Sequence, residues 1–266
     1  MAFAKKSLGQ NFLMHRQTAE RIVKAADLPD GALVLEVGPG TGMLTKELLA
    51  LGYRVLAVEA DFALIPELES TFEKEIGEGR ITILAADIRS FDTETIREPY
   101  HVVANIPYYI TGEIIRQFLT APNQPASMTL LVQKEVAERV ARANKESLLS
   151  LSVKAYGTPK FCFVVPRGAF VPAPNVDSAV LRISAISRTS FSDKEEEDAF
   201  FAMLHAGFAH KRKRLAKNLE EYAPKEEIVS AFSEIDLDQN VRAEDLTLPT
   251  WFALLARIRP SGKKGI

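Results

Sequence analysis

The segment Ala32-Leu33-Val34-Leu35-Glu36-Val37, running straight into Gly38-Pro39-Gly40-Thr41-Gly42, constrains the fold of this chain more than any other. The first part is a short, β-branched apolar run, the mark of a strand buried on both faces. The glycines permit a tight turn, and residues 43–51 beyond them carry helical spacing. The same alternation recurs downstream. Strands are predicted over 54–58, 80–85, 101–104 and 128–132, and helices over 62–76 and 112–120. A chain that alternates in this way must cross over between parallel strands, which builds an α/β sheet covered on both faces. Two further strands, 161–165 and 178–183, are joined only by a loop containing Phe170-Val171-Pro172-Ala173-Pro174. That connection is too short for a parallel crossover, so they pair antiparallel. The expectation is a mostly parallel seven-stranded sheet with an antiparallel terminal hairpin.

A charged helix is predicted from 134 to about 143, followed by an apolar stretch over 148–156. Residues 184–192 form a Ser/Thr-rich linker, and past it the strand pattern stops. Helices are predicted over 193–208, 211–222, 225–232 and 250–258, after a first helix over 18–26. Two domains follow: 1–185, with an N-terminal arm, and 186–266, small and helical. Apolar residues make up 47% of the chain, enough to fill both cores. Cys162 is the single cysteine, so an intramolecular disulfide is excluded, as fits a reducing compartment. One cysteine with four scattered histidines offers no metal-ligand cluster. No apolar run follows Lys5 and Lys6 as a secretory signal would, and no stretch has the length of a membrane span. The expected location is cytoplasmic. With a net charge of −2, contact with nucleic acid must rest on local basic patches.

Glu59 ends the second predicted strand and Asp87 follows the third, so both stand with the glycine turn at the carboxyl edge of the sheet. Open α/β sheets bind ligands at that edge. There Gly38 and Gly40 bring the backbone close to a ligand, Glu59 accepts from ribose hydroxyls, and Asp87 accepts from an adenine amine. Such charge-assisted bonds contribute about 1.5–3 kcal/mol. A nicotinamide dinucleotide is the competing ligand, but its fingerprint is G-x-G-x-x-G. In Gly38-Pro39-Gly40-Thr41-Gly42 the third glycine comes one residue early. The pattern strand-Glu-x-Gly-x-Gly-x-Gly resembles that of methyltransferases using S-adenosylmethionine, which implies a Rossmann-like methyltransferase fold and that cofactor.

Asn105-Ile106-Pro107-Tyr108 follows the fourth predicted strand. The amine of adenine is a weak nucleophile, because its lone pair is delocalised into the ring. An enzyme that alkylates it needs acceptors for its N–H groups and a flat wall beside the base. Asn105 offers a side-chain carbonyl. Ile106, preceding proline, is held extended, which can turn its carbonyl to a ligand. Pro107 has a fixed φ and no N–H to compete. Tyr108 supplies the wall.

Taken together, four segments closely resemble the ribosomal RNA small-subunit adenine dimethyltransferase family. They are Gly9-Gln10-Asn11-Phe12-Leu13, the turn from Glu36 to Gly42, Asn105-Ile106-Pro107-Tyr108, and the stretch from Phe170 through Val176-Asp177-Ser178-Ala179-Val180. The likeness extends to Phe208-Ala209-His210-Lys211-Arg212-Lys213-Arg214-Leu215 in the helical region. The resemblance implies that Asn11 and Leu13 close the cofactor pocket. It gives Gly38, Glu59, Asp87 and Asn105 contacts to S-adenosylmethionine, with Ile88 packed on its adenine ring. It further implies that Tyr108 and Phe170 stack on the target base, and that a monomer acts on 16S ribosomal RNA in the small subunit. The product implied is N6,N6-dimethyladenosine at two adjacent adenines of the 3′-terminal hairpin.

Candidate RNA contacts are Lys211, Arg212, Lys213 and Arg214 on a predicted helix, Arg139 and Arg142 with Lys145 on one predicted helical face, and Lys5 and Lys6. Leu148-Leu149 and Lys211-Arg212-Lys213-Arg214 depart from the family's usual residues at those places, which bears on local RNA contacts rather than on the chemistry. A rival reading is an adenine methyltransferase of large-subunit RNA, which shares the Asn-Ile-Pro-Tyr core. Another is an RNA-binding assembly factor without catalysis.

Overall fold

The computed structural model describes residues 10–260. Lys5, Lys6 and Gly9 lie outside them. The strands are β1 Phe12–Leu13, β2 Leu33–Val37, β3 Arg54–Glu59, β4 Ile81–Ala85, β5 Tyr100–Asn105, β6 Ser127–Gln133, β7 Thr158–Val165, β8 Phe170–Val171 and β9 Ser178–Ser184. The helices are α1 Arg16–Ala26, α2 Met43–Ala50, α3 Ile65–Thr71, α4 Glu73–Gly77, α5 Thr111–Thr120, α6 Lys134–Ala141, α7 Leu148–Tyr156, α8 Lys194–Phe208, α9 Leu215–Leu219, α10 Lys225–Glu234 and α11 Leu248–Leu255.

Seven strands form one sheet in the order β4-β3-β2-β5-β6-β9-β7. The pairs β3–β4, β2–β3, β2–β5 and β5–β6 are parallel, whereas β9 runs antiparallel to both β6 and β7. The expected Rossmann-like architecture, with its antiparallel terminal hairpin, is therefore the one observed. Its middle strands carry residues such as Val34, Leu35, Val102 and Val103 at 0% exposure, as double-sided cover requires. Burying each such side chain stabilises the fold by roughly 1.5–3 kcal/mol.

Two local features differ from the periodicity. The helix expected over 62–76 is interrupted at Phe72 (φ −112°), whose side chain is 3% exposed and packs into the core. Strand β7 begins at Thr158 rather than 161, taking in Pro159 and Lys160. It lies at the edge of the sheet, where a proline costs no ladder bond.

Contacts divide the chain into two compact units, Met1–Ala141 with Gly157–Ser187, and Arg142–Tyr156 with Arg188–Ile266. The first holds the sheet. The second holds α7 to α11, so residues 142–156, which the sequence reading put before a boundary at 185/186, group with the helices. The reason lies in α7 itself. The Tyr156 ring stacks on Phe201 at 5.6 Å and 13°, and its hydroxyl donates to the buried Glu197 carboxylate. Lys145 pairs with Glu244 at 2.5 Å.

The helix expected over 211–222 is also shorter. Lys211, Arg212, Lys213 and Arg214 form a turn between α8 and α9. Asn218 Nδ2 donates to the carbonyls of Gly207 and His210 at 2.5 and 3.1 Å, satisfying acceptors left open where α8 ends. Among the described residues no helix is long and apolar enough to cross a membrane.

Candidate active site

The register of the parallel strands places the site. Val37 pairs with Val58 on one side and with Ala104 on the other. The next residue of each strand is Gly38, Glu59 and Asn105, side by side at the carboxyl edge. The chain also reverses direction across the sheet here, passing from β2 outward to β4 before returning at β5, which opens a crevice between β2 and β5. A cleft with about 1040 Å³ of empty space, counting its open mouth, lies above this point. Asn11, Leu13, Gly38, Gly40, Glu59, Asp87, Ile88, Asn105, Ile106, Pro107 and Tyr108 all line it.

Glu59 is 5% exposed and organises the glycine turn. Its two oxygens accept from the Gly40 N–H at 3.0 Å and the Asp61 N–H at 2.8 Å. Burial raises its pKa, and those backbone bonds pull the other way. Gly40 has φ +60°, and a Cβ there would lie 2.9 Å from the ring of Phe12. Gly42, the early third glycine, has φ +76°, and a Cβ would lie 2.7 Å from the ring of Phe72. A glycine at this place leaves room for the Phe72 ring against the start of α2.

Glu36 is a cleft residue that the motif contained but the sequence reading did not single out. It is 1% exposed and accepts from Thr45 Oγ1 at 2.7 Å. Burial pushes its pKa up to about 8, opposed by the Thr45 bond and reinforced by the charge of Glu59. At neutral pH this carboxyl holds its proton. Because its pKa rises on folding from 4.5, the folded state binds that proton more tightly than the unfolded chain. The stability gained is full at low pH and drains away as pH climbs from the unfolded value through about 8. Glu36→Gln imitates the protonated acid. Its melting temperature is expected to fall less than that of the parent between about pH 5 and pH 9. Parallel pH profiles for the two proteins would rule out a buried neutral Glu36.

Asp87 caps the turn Ile88–Ser90 and is clasped by Arg89, with Nη2 to Oδ2 at 2.6 Å and the Arg89 N–H to Oδ1 at 2.9 Å. The side-chain bond to Arg89 holds its pKa below the usual carboxylate range, so Asp87 is an anion at the cleft. A carboxylate has about four acceptor sites, and a ligand amine would share them with Arg89. Ile88, 5% exposed, gives an apolar surface beside it. Acceptors at Glu59 and Asp87, an apolar wall at Ile88 and local negative charge match S-adenosylmethionine, which carries ribose hydroxyls, an adenine amine and a cationic sulfonium.

The N-terminal arm closes one side. Gln10 Nε2 donates to Asp61 Oδ2 at 3.2 Å. Strand β1 pairs antiparallel with β8, Phe12 opposite Val171 and Leu13 opposite Phe170. The Met14 N–H donates to the Ala169 carbonyl at 2.9 Å. Asn105 Nδ2 donates to the Asn11 carbonyl at 3.0 Å. That bond holds the amide nitrogen and leaves Oδ1 as the side chain's acceptor in a residue that lines the cleft. Tyr108 is half-buried, and its hydroxyl is 2.6 Å from Ser178 Oγ on β9, which sets the plane of its ring. Arg89 was not singled out in the sequence, and Ser178 appeared there only as part of the Phe170–Val180 segment; the fold sets the one on Asp87 and the other on Tyr108.

Phe170 does not reach the cleft. It is 2% exposed and sits in the hydrophobic core with Phe12, Leu13 and Ala169. In the two-residue strand β8 alternate side chains point to opposite faces, so Phe170 faces inward while Val171 is 58% exposed. Stacking on a target base, the role expected of Phe170, would take the ring out of that core. Arg139 and Arg142 do not share a helical face either, because α6 ends at Ala141 and the contacts assign the two residues to different units. Lys211, Arg212, Lys213 and Arg214 are exposed and carry no ion pair among the described residues.

A family model for ribosomal RNA adenine dimethylases matches residues 1–259. The ribosomal RNA small subunit methyltransferase A of Dehalococcoides mccartyi is 41% identical over 254 residues, covering 93% of this chain and 86% of that protein. Among solved structures, the 23S rRNA methyltransferase ErmE has a TM-score of 0.75 at 27% identity, over 93% of this chain and 99% of its own. A dimethyladenosine transferase from Plasmodium falciparum has the same fold, with a TM-score of 0.77 at 24% identity over 92% of this chain and 96% of its own. Asn105-Ile106-Pro107-Tyr108 and the carboxyl edge of the sheet thus lie within a match that runs almost end to end, and this chain belongs to the ribosomal RNA adenine dimethylase family.

Proposed function

We propose that this chain dimethylates the N6 amines of two adjacent adenines in the 3′-terminal hairpin of 16S ribosomal RNA, acting as a cytoplasmic monomer. The observation that carries the reading is the Asn105–Asn11 hydrogen bond. It leaves an amide oxygen as the acceptor beside a stacking wall, in the same cleft as the carboxylates suited to the cofactor. The higher identity to a small-subunit enzyme than to a large-subunit one supports the choice of RNA.

Glu59 would hold the ribose of S-adenosylmethionine, Asp87 its adenine amine and Ile88 the ring, with Leu13 and Asn11 closing over it. The bound cofactor supplies a methyl group on a sulfonium, an electrophile that an amine attacks in line. The target adenine must leave its stack before its amine can enter the cleft. Tyr108 compensates by offering its ring, a contact that contributes about 1–3 kcal/mol. Asn105 Oδ1 accepts one N–H of the amine. The Pro107 carbonyl is taken by the Ile110 N–H at 3.2 Å, so the second acceptor is the Ile106 carbonyl. Two acceptors in fixed positions aim the nitrogen lone pair at the methyl carbon, and positioning of this kind provides most of the acceleration. The new N–C bond would form as the carbon–sulfur bond breaks, its electron pair leaving with S-adenosylhomocysteine as a neutral thioether; the nitrogen, made cationic, would then lose its proton to water. No strong base is needed at the site. The exposed cations Lys211, Arg212, Lys213 and Arg214 would bind RNA phosphates, with an affinity that drops steeply as salt rises.

The test is to incubate the protein with methyl-labelled S-adenosylmethionine and unmethylated small subunits, then map the label. Two adjacent adenines near the 3′ end should carry it. Label on large-subunit RNA alone, or cofactor binding with no label on any RNA, would overturn the reading.

A further inference from the structure

Tyr109 lines the cleft and has no part in the mechanism above. It follows Tyr108 in the one-turn helix Tyr108–Ile110, and the three side chains diverge. Tyr108 is tethered to Ser178, Ile110 is 8% exposed in the core, and Tyr109 is 63% exposed while still lining the cleft. Its ring makes no stacking contact and its hydroxyl no hydrogen bond among the described residues. Leaving an aromatic face in water has a hydrophobic cost that core packing does not explain here. Arg89, also exposed, lines the same mouth.

We infer that Tyr109 is a binding residue for RNA, on which the nucleotide next to the target adenine stacks while the target base occupies the cleft. The inference rests on the reading that Asn105 and Tyr108 receive that base. Extruding one base from a strand deprives its neighbour of a stacking partner. A tyrosine adjoining the target's own wall, with its face to solvent, replaces that partner. The side chain orders only two dihedral angles on doing so, which keeps the entropic cost low. Any base has a π face, so the contact tolerates different neighbours and adds affinity rather than sequence readout. Arg89 beside it is held by Asp87, so the stacking contact rests on the Tyr109 ring alone.

The experiment measures methyl transfer to unmethylated small subunits by the full chain and by Tyr109→Ala, Tyr109→Phe and Tyr109→Leu. Cofactor affinity is measured separately by calorimetry. Tyr109→Ala should raise KM for the subunit by about tenfold, through loss of one stacking contact. Tyr109→Phe should return it to within about twofold of the parent, whereas Tyr109→Leu, apolar but not aromatic, should not. Affinity for S-adenosylmethionine should stay within about twofold in all three, since the stacked nucleotide is absent from that measurement. An unchanged KM in Tyr109→Ala, equal rescue by Leu and Phe, or a loss confined to cofactor binding would each overturn the inference while the parent's activity left the proposed function standing. A parent protein that does not label the subunit would remove the proposed function, and the inference with it.

Discussion

Asn105→Ala is expected to slow methyl transfer at least about a hundredfold while small subunits bind nearly as well as before. The expectation follows from where the side chain sits. Its nitrogen is spent on the Asn11 carbonyl at 3.0 Å, so its oxygen is the group available to an incoming amine. Alanine removes that acceptor from a position fixed before the substrate arrives, and preorganised polar groups are the ones whose loss is felt in the transition state. RNA affinity, which rests on phosphate contacts and stacking, is largely spared. Single-turnover transfer at saturating cofactor is the measurement, because it separates the chemical step from binding. A variant that transfers at the parent rate would sink the role given to Asn105.

Glu59→Ala is expected to weaken S-adenosylmethionine binding at least about a hundredfold, the equivalent of two charge-assisted hydrogen bonds. Two effects add. The acceptor for the ribose is lost, and the N–H groups of Gly40 and Asp61, bound at 3.0 and 2.8 Å, are left without their partner in a buried place. The glycine turn then loses the carboxylate that holds it open for the ligand. Calorimetric titration with the cofactor gives the number, and circular dichroism checks that the sheet survives. Affinity within threefold of the parent in a folded variant would show that Glu59 supports the turn and nothing more.

The sheet could be read in advance because buried parallel strands are short apolar runs with little else they can become. The register then aligned Gly38, Glu59 and Asn105 without further help, so their meeting at the carboxyl edge was legible as well. What escaped was set by contacts distant in sequence. Phe170 stands beside a proline loop and looks like a surface aromatic, yet pairing with Leu13 turns it inward. The cations from Lys211 to Arg214 have helix-forming side chains, but Asn218 caps the preceding helix and leaves them in a turn. Pro159 reads as a loop residue unless the strand is known to lie at the sheet's edge. Ser178 owes its place to Tyr108, 70 residues earlier, and no local pattern announces such a partner.

The union of β1 with β8 has a consequence for the order in which the protein can become active. During synthesis Phe12 and Leu13 leave the ribosome early, but the strand that receives them, Phe170–Val171, is made only after six strands of the main sheet, β2 to β7, have followed one another out. Until then Asn11 has no fixed position from which to orient Asn105. Pairing across such a span is slow, because much loop entropy must be lost before the contact is gained. A partly made chain can therefore fold much of its sheet without owning a finished catalytic centre. The methylating machinery switches on only when the first residues have found a strand near the end of the sheet.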